Sequence, residues 1–191
     1  MNVLCREMLL GVSGSISALS LPGYIDFLRR GLVGRIRVIM TASATEIIPA
    51  ATIRGHTGEA VFVDSFAGED GLFVPHIQLT READIFVVMP ATANVIAKAA
   101  NGIADDLLST AILASPAPVV FVPCMNEQMW FSPATQANVD LARQRGYFVL
   151  EPTLGTEIAD LQPTFGVMPP MHAILEALAG ILKTRRRAEQ P

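Results

Sequence analysis

Hydroxyl and amide side chains directly follow four hydrophobic segments of this sequence. The polar stretches are residues 11–17 (GVSGSIS), 41–45 (TASAT), 90–94 (PATAN) and 123–126 (PCMN). They contain no charged residue, but their hydroxyl, amide and backbone N–H groups can donate or accept hydrogen bonds. This is the lining expected for a cofactor that has a phosphate group and a neutral, hydrogen-bonding ring.

The stretch 11–17 could bind a phosphate by itself. Its small residues allow backbone N–H groups to approach an anion, and its serines add hydroxyl donors. It departs from the dinucleotide-binding pattern, which has a third glycine and an acidic residue after the second strand, and from the P-loop, which has a lysine. Tight packing would explain the glycines equally well, and helix capping would explain Thr41 and Ser43.

Short apolar segments alternate with helical patterns along the chain. Predicted strands are 7–12, 35–41, 60–65, 84–91, 117–123 and 147–152. Predicted helices are 15–31, 42–55 (ended near Pro49), 75–83, 92–115 (with a break at Asn101 and Gly102), 124–146 (after an irregular start) and 169–187. Several strands are apolar on both faces, which favours an α/β fold with one doubly wound parallel sheet, Rossmann-like with flavodoxin-like layering, over residues 1–191. Ligands bind beyond the carboxyl ends of parallel strands, so the four polar stretches should meet at one edge.

The composition limits the functional classes. The formal net charge is −4, 51% of the residues are hydrophobic and 17% are charged, which excludes a disordered chain and gives no sign of nucleic-acid binding. Cys5, Cys124 and the three histidines lack disulfide or metal-ligand spacing. No segment reaches the roughly 18 uninterrupted apolar residues of a membrane span. We therefore expect a cytoplasmic protein without a metal site, whose apolar residues are buried in the sheet or in an oligomer.

Three segments are similar to motifs of the homo-oligomeric flavin-containing cysteine decarboxylases. Residues 11–18 resemble the opening phosphate turn of that family, and residues 75–110 resemble its histidine segment and its Pro-Ala-Ser/Thr-Ala-Asn block. Residues 123–130 match Pro-x-Met-Asn-x-x-Met-Trp, the most specific of the three motifs. The family includes phosphopantothenoylcysteine decarboxylases and the peptidyl-cysteine decarboxylases that modify lanthipeptides and related peptides. The resemblance implies a Rossmann-like flavoprotein.

The resemblance also implies that the polar strand ends bind a flavin. FMN is the expected cofactor; FAD occurs in some relatives, and the sequence does not decide between them. The expected cofactor-binding residues are Gly11, Ser13, Gly14, Ser15, Thr41, Ser43, Pro90, Ala91, Thr92, Asn94, Asn101, Asp105 and Met125. Thr92 and Asn94 would reach the cofactor from a strand end, although a helix cap is the alternative role for Asn94.

Decarboxylation of a C-terminal cysteine needs an electron sink, because loss of CO2 otherwise leaves an unstabilised carbanion. In the family, flavin takes two electrons from the cysteine to give a thioaldehyde, and loss of CO2 then leaves an enethiolate. The resemblance assigns proton transfer at the thiol to His76 and binding of the carboxylate to Asn126. A structural histidine and a turn-forming asparagine are the alternatives. Cys124 is expected to be a passive small residue.

Residues 153–168 have weak periodicity and separate the last strand from the last helix, which is typical of a functional or mobile loop. The corresponding region in the family is a mobile substrate clamp, and the expected substrate contacts are Asn126, Met129, Phe165 and Met168. In phosphopantothenoylcysteine decarboxylases the clamp carries a cysteine that protonates the intermediate. Residues 153–168 contain no cysteine, so the reaction should stop at the oxidised enethiol.

These features predict a peptidyl-cysteine decarboxylase that acts on the C-terminal cysteine of a ribosomally synthesised precursor peptide. We expect a homotrimer or homododecamer without nucleic-acid or membrane partners. The first alternative is a phosphopantothenoylcysteine decarboxylase with an unusual clamp, although no ligase domain accompanies the sequence. The second is a non-catalytic flavin-binding subunit that regulates a partner protein, against which His76 and Asn126 together argue. A flavin prenyltransferase would share the fold but lack the Met-Asn motif.

Overall fold

The computed structural model describes residues 3–63, 74–156 and 161–188. The strands are β1 (Cys5–Val12), β2 (Val33–Met40), β3 (Val61–Phe62), β4 (Ile85–Ala91), β5 (Val119–Pro123), β6 (Phe148–Val149), β7 (Thr153–Thr156) and β8 (Pro163–Val167). The α-helices are α1 (Leu21–Arg29), α2 (Ala42–Thr45), α3 (Ala50–Thr57), α4 (Pro75–Glu82), α5 (Ala93–Asn101), α6 (Leu107–Ala114), α7 (Glu127–Trp130), α8 (Pro133–Gln144) and α9 (Met171–Ala188). A 3-10 turn, Ile16–Ser20, precedes α1. None of the described helices is both long and apolar enough to cross a membrane.

Strands β1 to β6 form one sheet in the order β3-β2-β1-β4-β5-β6, and every neighbouring pair is parallel. The strand order reverses between β1 and β4, where Gly11 lies beside Val88. In such a sheet a ligand site is expected at this switch point, beyond the carboxyl ends of the strands. The predicted doubly wound parallel sheet is confirmed, and its strand order is that of the Rossmann fold. Of the predicted strand 60–65, residues 64 and 65 lie outside the described residues.

The sheet is buried on both faces. One face, which includes Leu10 and Val87, packs against α1, α3 and α9. The opposite face, which includes Leu9 and Phe86, packs against α4, α5, α6 and α8. Every residue of β4 is buried. Burial on both faces explains why the strands lack an alternation of polar and apolar residues, and why short apolar runs were sufficient to predict them.

Three predicted helices are each divided in two. Pro49 is the N-cap residue of α3 and separates it from α2, because proline has no N–H to donate inside a helix. Gly102, with a φ of +69°, ends α5. Helix α6 begins after Asp106, whose carboxylate accepts a hydrogen bond from Ser109 N at 2.7 Å, so the predicted break is confirmed. The segment 124–146 contains both α7 and α8.

The segment that the sequence predicted as a loop contains an antiparallel hairpin, β7–β8. Residues 157–160 lie outside the described residues. Met125 N donates a hydrogen bond to Gly166 O at 3.1 Å, which attaches the hairpin to the chain that follows β5. Gly166 has a φ of +121°, and this glycine interrupts the strand-forming residues of β8, which explains the weak strand signal. The mobility expected for residues 153–168 stays a prediction.

Candidate cofactor and substrate site

A cavity of about 150 Å³ lies at the switch point between β1 and β4. Its lining residues are Ser13, Gly14, Thr41, Ser43, Thr92, Asn94, Val95, Lys98 and Asp106. The first six of these are residues that the sequence predicted for cofactor binding. Three of the four polar stretches therefore meet at this edge of the sheet, as expected for the ends of parallel strands. We call this space the switch-point cavity.

Ser13 joins the ends of β1 and β4. Its Oγ donates a hydrogen bond to Pro90 O at 2.8 Å and accepts one from Thr92 N at 3.0 Å. Because the single hydroxyl proton of Ser13 is already used, the side chain positions the two strand ends. Gly11 and Ala91 are buried strand residues that do not line the cavity. Contact of Gly11, Pro90 and Ala91 with a cofactor stays a prediction.

Gly14 faces the start of α2 across the cavity. Thr41 is the N-cap of α2: its Oγ1 accepts a hydrogen bond from Ala44 N at 3.2 Å and lies 3.0 Å from Ser43 Oγ. A Cβ on Gly14 would be 2.6 Å from Ser43 Oγ and 2.8 Å from Ser43 Cβ. Glycine is therefore the residue that keeps the space between the two turns open. Thr41 thus caps α2, which is the alternative role that the sequence left open. The Thr41 side chain also lines the cavity.

Helix α5 begins at the same cavity. Thr92 is its N-cap residue, and Thr92 Oγ1 accepts a hydrogen bond from Val95 N at 3.4 Å. The exposed side chain of Asn94 follows in the first turn. The N-terminus of a helix has backbone N–H groups without partners in the helix and a partial positive charge, so this edge favours an anion.

An ion-paired lysine completes the switch-point cavity. Lys98 Nζ lies 2.6 Å from Asp105 Oδ1 and 2.8 Å from Asp106 Oδ2. The hydrogen bonds to Asp105 and Asp106 raise the pKa of Lys98. Burial acts to raise the pKa of Asp106, but the hydrogen bonds from Lys98 and Ser109 outweigh it and hold that pKa below its ordinary value. Asp105, a predicted cofactor contact, pairs with Lys98 and does not line the cavity.

A second cavity, of about 300 Å³, lies beside the β7–β8 hairpin, and we call it the hairpin cavity. Its lining residues are Ser15, Ile16, Ser17, Ser20, Tyr24, Cys124, Met125, Asn126, Thr156, Thr164, Gly166, Val167 and Met168. Four of the predicted site residues meet here, namely Ser15, Met125, Asn126 and Met168. The fourth polar stretch of the sequence thus contributes to the hairpin cavity.

Asn126 caps α7 at the edge of the hairpin cavity. Its Oδ1 accepts a hydrogen bond from Met129 N at 2.9 Å, which is the turn-forming role that the sequence left open. The side chain is exposed, and in the described part of the chain its Nδ2 donates no hydrogen bond. The amide therefore caps the helix with its oxygen and keeps two N–H donors for a ligand.

His76 lies outside both cavities. It is the second residue of α4 and is half-buried, and its Nδ1 is buried without a hydrogen-bond partner among the described residues. A buried polar atom without a partner costs about 1–3 kcal/mol, which a ligand or a neighbouring chain could recover. Because His76 lines neither the switch-point cavity nor the hairpin cavity, neither space joins it to Asn126 within one chain.

Three more predicted residues also lie outside the two cavities. Asn101 Nδ2 donates a hydrogen bond to Asn138 Oδ1 at 3.3 Å, which connects α5 to α8. Phe165 stacks on Phe131 with ring centroids 5.4 Å apart, and Met129 is an exposed residue of α7. Contact of Asn101 with a cofactor, and of Met129 and Phe165 with a substrate, stays a prediction.

The Flavoprotein family model matches residues 3–183 of this chain. The chain belongs to the Flavoprotein family. Mersacidin decarboxylase from Bacillus sp. strain HIL-Y85/54728 is 34% identical over an alignment of 193 residues, which covers 97% of this flavoprotein and 94% of that protein. The coenzyme A biosynthesis bifunctional protein CoaBC of Mycobacterium tuberculosis is 44% identical over 150 residues, or 78% of this flavoprotein. The chain spans 35% of the length of that CoaBC protein.

Solved structures agree with this assignment. The FMN-dependent cysteine decarboxylase SpaF has a TM-score of 0.80 and 37% identity to this flavoprotein, and the alignment covers 95% of this chain and 97% of SpaF. The comparison confirms the Rossmann-like flavoprotein fold and the resemblance to the flavin-containing cysteine decarboxylases. The flavoprotein thus belongs to a family of decarboxylases. Because its relatives include both mersacidin decarboxylase and a coenzyme A biosynthesis protein, its own substrate is a matter for proposal.

The switch-point cavity fits the polar end of a flavin. Thr41, Ser43 and the N-terminus of α5 supply uncharged donors that suit a phosphate and the hydroxyls of a ribityl chain. Lys98 also lines the cavity, where it is paired with Asp105 and Asp106. Gly14 keeps the space that a Cβ would occupy. The described residues contain no group of three or more His, Cys, Asp and Glu side chains that could hold a metal ion.

Sequence reasoning missed several residues that line the two cavities. Lys98 follows Asn94 by four residues on a helix, so the two side chains share one face, and this spacing was a usable signal. Tyr24, Thr156 and Thr164 gave no comparable signal. They meet only because the hairpin packs against the end of β5, and this contact joins residues that are distant in sequence.

Proposed function

We propose that this flavoprotein is an FMN-dependent decarboxylase that oxidises and decarboxylates the C-terminal cysteine of a ribosomally synthesised precursor peptide, giving an aminoenethiol. The observation that best supports this is the position of the Asn126 amide, which has unused donors at the edge of the hairpin cavity. A carboxylate can bind to such donors, and the adjoining cavity has the volume of a small-ligand site. Similarity to mersacidin decarboxylase over 94% of that protein supports a peptide substrate.

Asn126 would orient the substrate carboxylate without neutralising it. The Nδ2 hydrogens are neutral donors, so they hold an anion less strongly than an arginine would. The carboxylate can then leave as uncharged CO2 with little loss of binding energy. The hydrogen bond from Met129 N to Oδ1 fixes the amide in place, which reduces the cost of orienting it during the reaction.

The switch-point cavity would hold the cofactor. Bound flavin would supply the two-electron oxidation of the cysteine. Thr41, Ser43 and Lys98 would bind its phosphate and ribityl groups, and Ser13 would keep the ends of β1 and β4 in register. We propose FMN rather than FAD because SpaF, which is 37% identical to this chain, is FMN-dependent.

His76 would accept the proton of the substrate thiol. Imidazole is the side chain most often used as a general base, and Nδ1 of His76 has no partner among the described residues. Because His76 lines neither cavity of its own chain, we propose that a second subunit of a homotrimer or homododecamer supplies it. Mixing His76→Asn chains with Asn126→Asp chains tests this arrangement. Each variant alone should be nearly inactive, and co-assembly should restore activity; no recovery would contradict delivery by a second subunit.

The hairpin lacks the thiol that would let the oxidised intermediate be reduced again. Residues 153–167 contain no cysteine, so no clamp thiol would supply the proton that has to accompany the return of two electrons from the flavin to the enethiol. The enethiol would then be released as the product. Each turnover would therefore need an external electron acceptor such as O2, and activity should fall when O2 is removed.

Mass spectrometry of peptides that end in cysteine tests the proposed function. Incubation with the FMN-loaded protein should remove CO2 and two hydrogens, a loss of about 46 Da by formula for this oxidation. A matched peptide that ends in serine should remain unchanged, because it offers no thiol to oxidise. The proposed function is wrong if no cysteine-ending peptide changes mass while the protein carries flavin.

A second candidate function is decarboxylation of phosphopantothenoylcysteine. The observation that favours it is the 44% identity to CoaBC of Mycobacterium tuberculosis over 150 residues. That reaction would remove CO2 alone and would need no electron acceptor. Incubation of the FMN-loaded protein with phosphopantothenoylcysteine under anaerobic conditions separates the two functions, because the peptide-modifying enzyme should not sustain turnover there.

A further inference from the structure

The two cavities adjoin at the turn that follows β1. Gly14 lines the switch-point cavity, and the next residue, Ser15, lines the hairpin cavity. The chain then continues through the 3-10 turn into α1, and both elements form one side of the hairpin cavity. We call this side the α1 wall; its residues are Ser15, Ile16, Ser17, Ser20 and Tyr24. Under the proposed function, the cofactor and the reacting atoms of the substrate meet at this wall.

Tyr24 brings an unused hydrogen-bond donor to the α1 wall. Its side chain is half-buried, and its hydroxyl forms no hydrogen bond with another described residue. Burial and, to a smaller extent, the neighbouring Cys124 raise the pKa of Tyr24, so the phenol keeps its proton near pH 7. The proton of a phenol is more acidic than that of an aliphatic hydroxyl. Tyr24 is therefore a stronger donor to an anion than the serines of the same wall.

Asn126 determines which part of the substrate meets Tyr24. In the proposed function the Asn126 amide binds the carboxylate of the terminal cysteine, whose sulfur is two bonds from the carbon that carries this carboxylate. Cys124, two residues before Asn126, lies close enough to Tyr24 to raise its pKa. Both Asn126 and Tyr24 line the same cavity of about 300 Å³. A cysteine bound at Asn126 with its thiol towards the cofactor therefore directs its sulfur to the α1 wall.

Negative charge moves onto that sulfur when CO2 leaves. In the thioaldehyde, the bond between Cα and the carboxylate breaks, and its electron pair forms a double bond between Cα and Cβ. The π pair of the C=S bond moves onto sulfur, so the charge of the carboxylate becomes that of an enethiolate, which solvent protonates after release. A donor at sulfur stabilises this developing charge. It does not assist the preceding oxidation, in which sulfur loses electron density.

We propose that Tyr24 is a catalytic residue of the decarboxylation step, in which its hydroxyl donates a hydrogen bond to the substrate sulfur as the enethiolate forms. The inference rests on the proposed function. It separates three roles, because His76 acts on the thiol before oxidation, Asn126 holds the carboxylate, and Tyr24 stabilises the sulfur while CO2 departs.

Tyr24→Phe tests this role, because it removes the hydroxyl and keeps the ring. In an anaerobic single turnover with a cysteine-ending peptide, the rate of flavin bleaching should stay within about twofold of that of the unsubstituted protein. Formation of the product that is lighter by about 46 Da should slow about 10- to 100-fold, and a peptide lighter by about 2 Da, oxidised but not decarboxylated, should accumulate. Equal slowing of both steps, or no slowing of either, overturns the inference.

Tyr147→Phe is the matched control. It removes the hydroxyl of the other tyrosine of the sequence, which packs edge-on against Phe121 and lines neither cavity. Both rates should stay at those of the unsubstituted protein, and no peptide lighter by two hydrogens should accumulate. The same accumulation in both variants would show a general effect on the fold and overturn the assignment of Tyr24.

A peptide that ends in alanine separates this chemical role from a role in shaping the cavity. It keeps the carboxylate but has no sulfur, so its Kd for the FMN-loaded protein should change less than about twofold in Tyr24→Phe. Weaker binding of this peptide would show that Tyr24 holds another part of the substrate, which overturns the inference. The unsubstituted protein tests the proposed function separately: if it forms no decarboxylated peptide, the proposed function fails and the inference fails with it.

Discussion

The two cavities of this flavoprotein are built in different ways. The switch-point cavity is formed by the ends of sheet strands, which Ser13 ties together, and by Lys98 on α5. The hairpin cavity depends on a small separate sheet that attaches through the backbone of Met125 and Gly166. Under the proposed function, the ends of the sheet strands would bind the cofactor, and the hairpin could change substrate preference without altering the sheet.

The two cavities also differ in charge. The switch-point cavity contains Lys98 together with Asp106, beside the N-terminus of α5. The described lining of the hairpin cavity is uncharged. A phosphate-bearing cofactor suits the first cavity, and a neutral segment of peptide suits the second. Substitutions in the hairpin cavity should therefore change peptide turnover but not flavin binding, and substitutions in the switch-point cavity should leave peptide turnover unchanged once flavin is saturating.

Asn126→Asp should have the largest effect of the substitutions that separate the two cavities. Aspartate caps a helix as well as asparagine does, so α7 and the unfolding temperature should be preserved. Loss of the amide donors next to a substrate carboxylate should lower kcat/KM by about 10²–10³-fold, while flavin binding stays unchanged. Peptide mass spectrometry and flavin absorbance measure the two effects. Gln128→Ala is the control on the same helix, and full activity of Asn126→Asp would exclude Asn126 as the carboxylate ligand.

Gly166→Ala should impair peptide turnover and spare the cofactor. Gly166 has a φ of +121°, and a Cβ there would overlap the carbonyl oxygen of Met125. Strain of about 1–3 kcal/mol plus this overlap should detach the hairpin and raise KM for the peptide more than tenfold. The protein should remain yellow with an unchanged flavin Kd. Gly180→Ala, where a Cβ meets no atom within 4 Å, is the matched control; loss of flavin in Gly166→Ala would contradict the separation of the cavities.

Gly14→Ala should show the opposite pattern. Its Cβ would lie 2.6 Å from Ser43 Oγ, so the first turn of α2 must move away from the cavity. We expect the flavin Kd to rise about tenfold, which corresponds to 1.4 kcal/mol of binding free energy. At saturating flavin, KM for the peptide should return to the value of the unsubstituted protein. Titration with FMN followed by fluorescence measures the change, and a peptide defect that persists at saturation would contradict it.

The sequence predicted the lining of the switch-point cavity better than that of the hairpin cavity, for a physical reason. The strands that end at the switch point are buried on both faces, so each appears as a short apolar run that a polar stretch follows. Each polar stretch needs only local chain geometry to reach the cavity, as Gly14 and Thr92 show. A local sequence pattern is therefore sufficient to predict both the buried strands and the polar stretches that follow them.

The hairpin cavity depends on contacts that no local pattern contains. Tyr24 and Thr164 lie far apart in sequence and line the same space only after β8 attaches to Met125. The hairpin itself was predicted as a loop because Gly155 and Gly166 interrupt its short strands. The position of His76 outside both cavities has the same origin, since it depends on where α4 packs against the sheet.

Asp106→Asn should have the smallest effect, and it should appear only at low pH. Asp106 has a folded-state pKa below its ordinary value, so its carboxylate stabilises the fold fully above about pH 4 and loses this contribution as the pH falls through the lowered pKa. The free energy of unfolding should therefore fall more steeply below about pH 4 in the unsubstituted protein than in Asp106→Asn. Asparagine keeps the cap of α6, and the partly exposed pair limits the difference to less than about 1 kcal/mol. Urea unfolding at pH 3 and pH 7 measures it, and identical pH slopes would show that the contacts of Asp106 with Lys98 and Ser109 do not stabilise this side of the switch-point cavity.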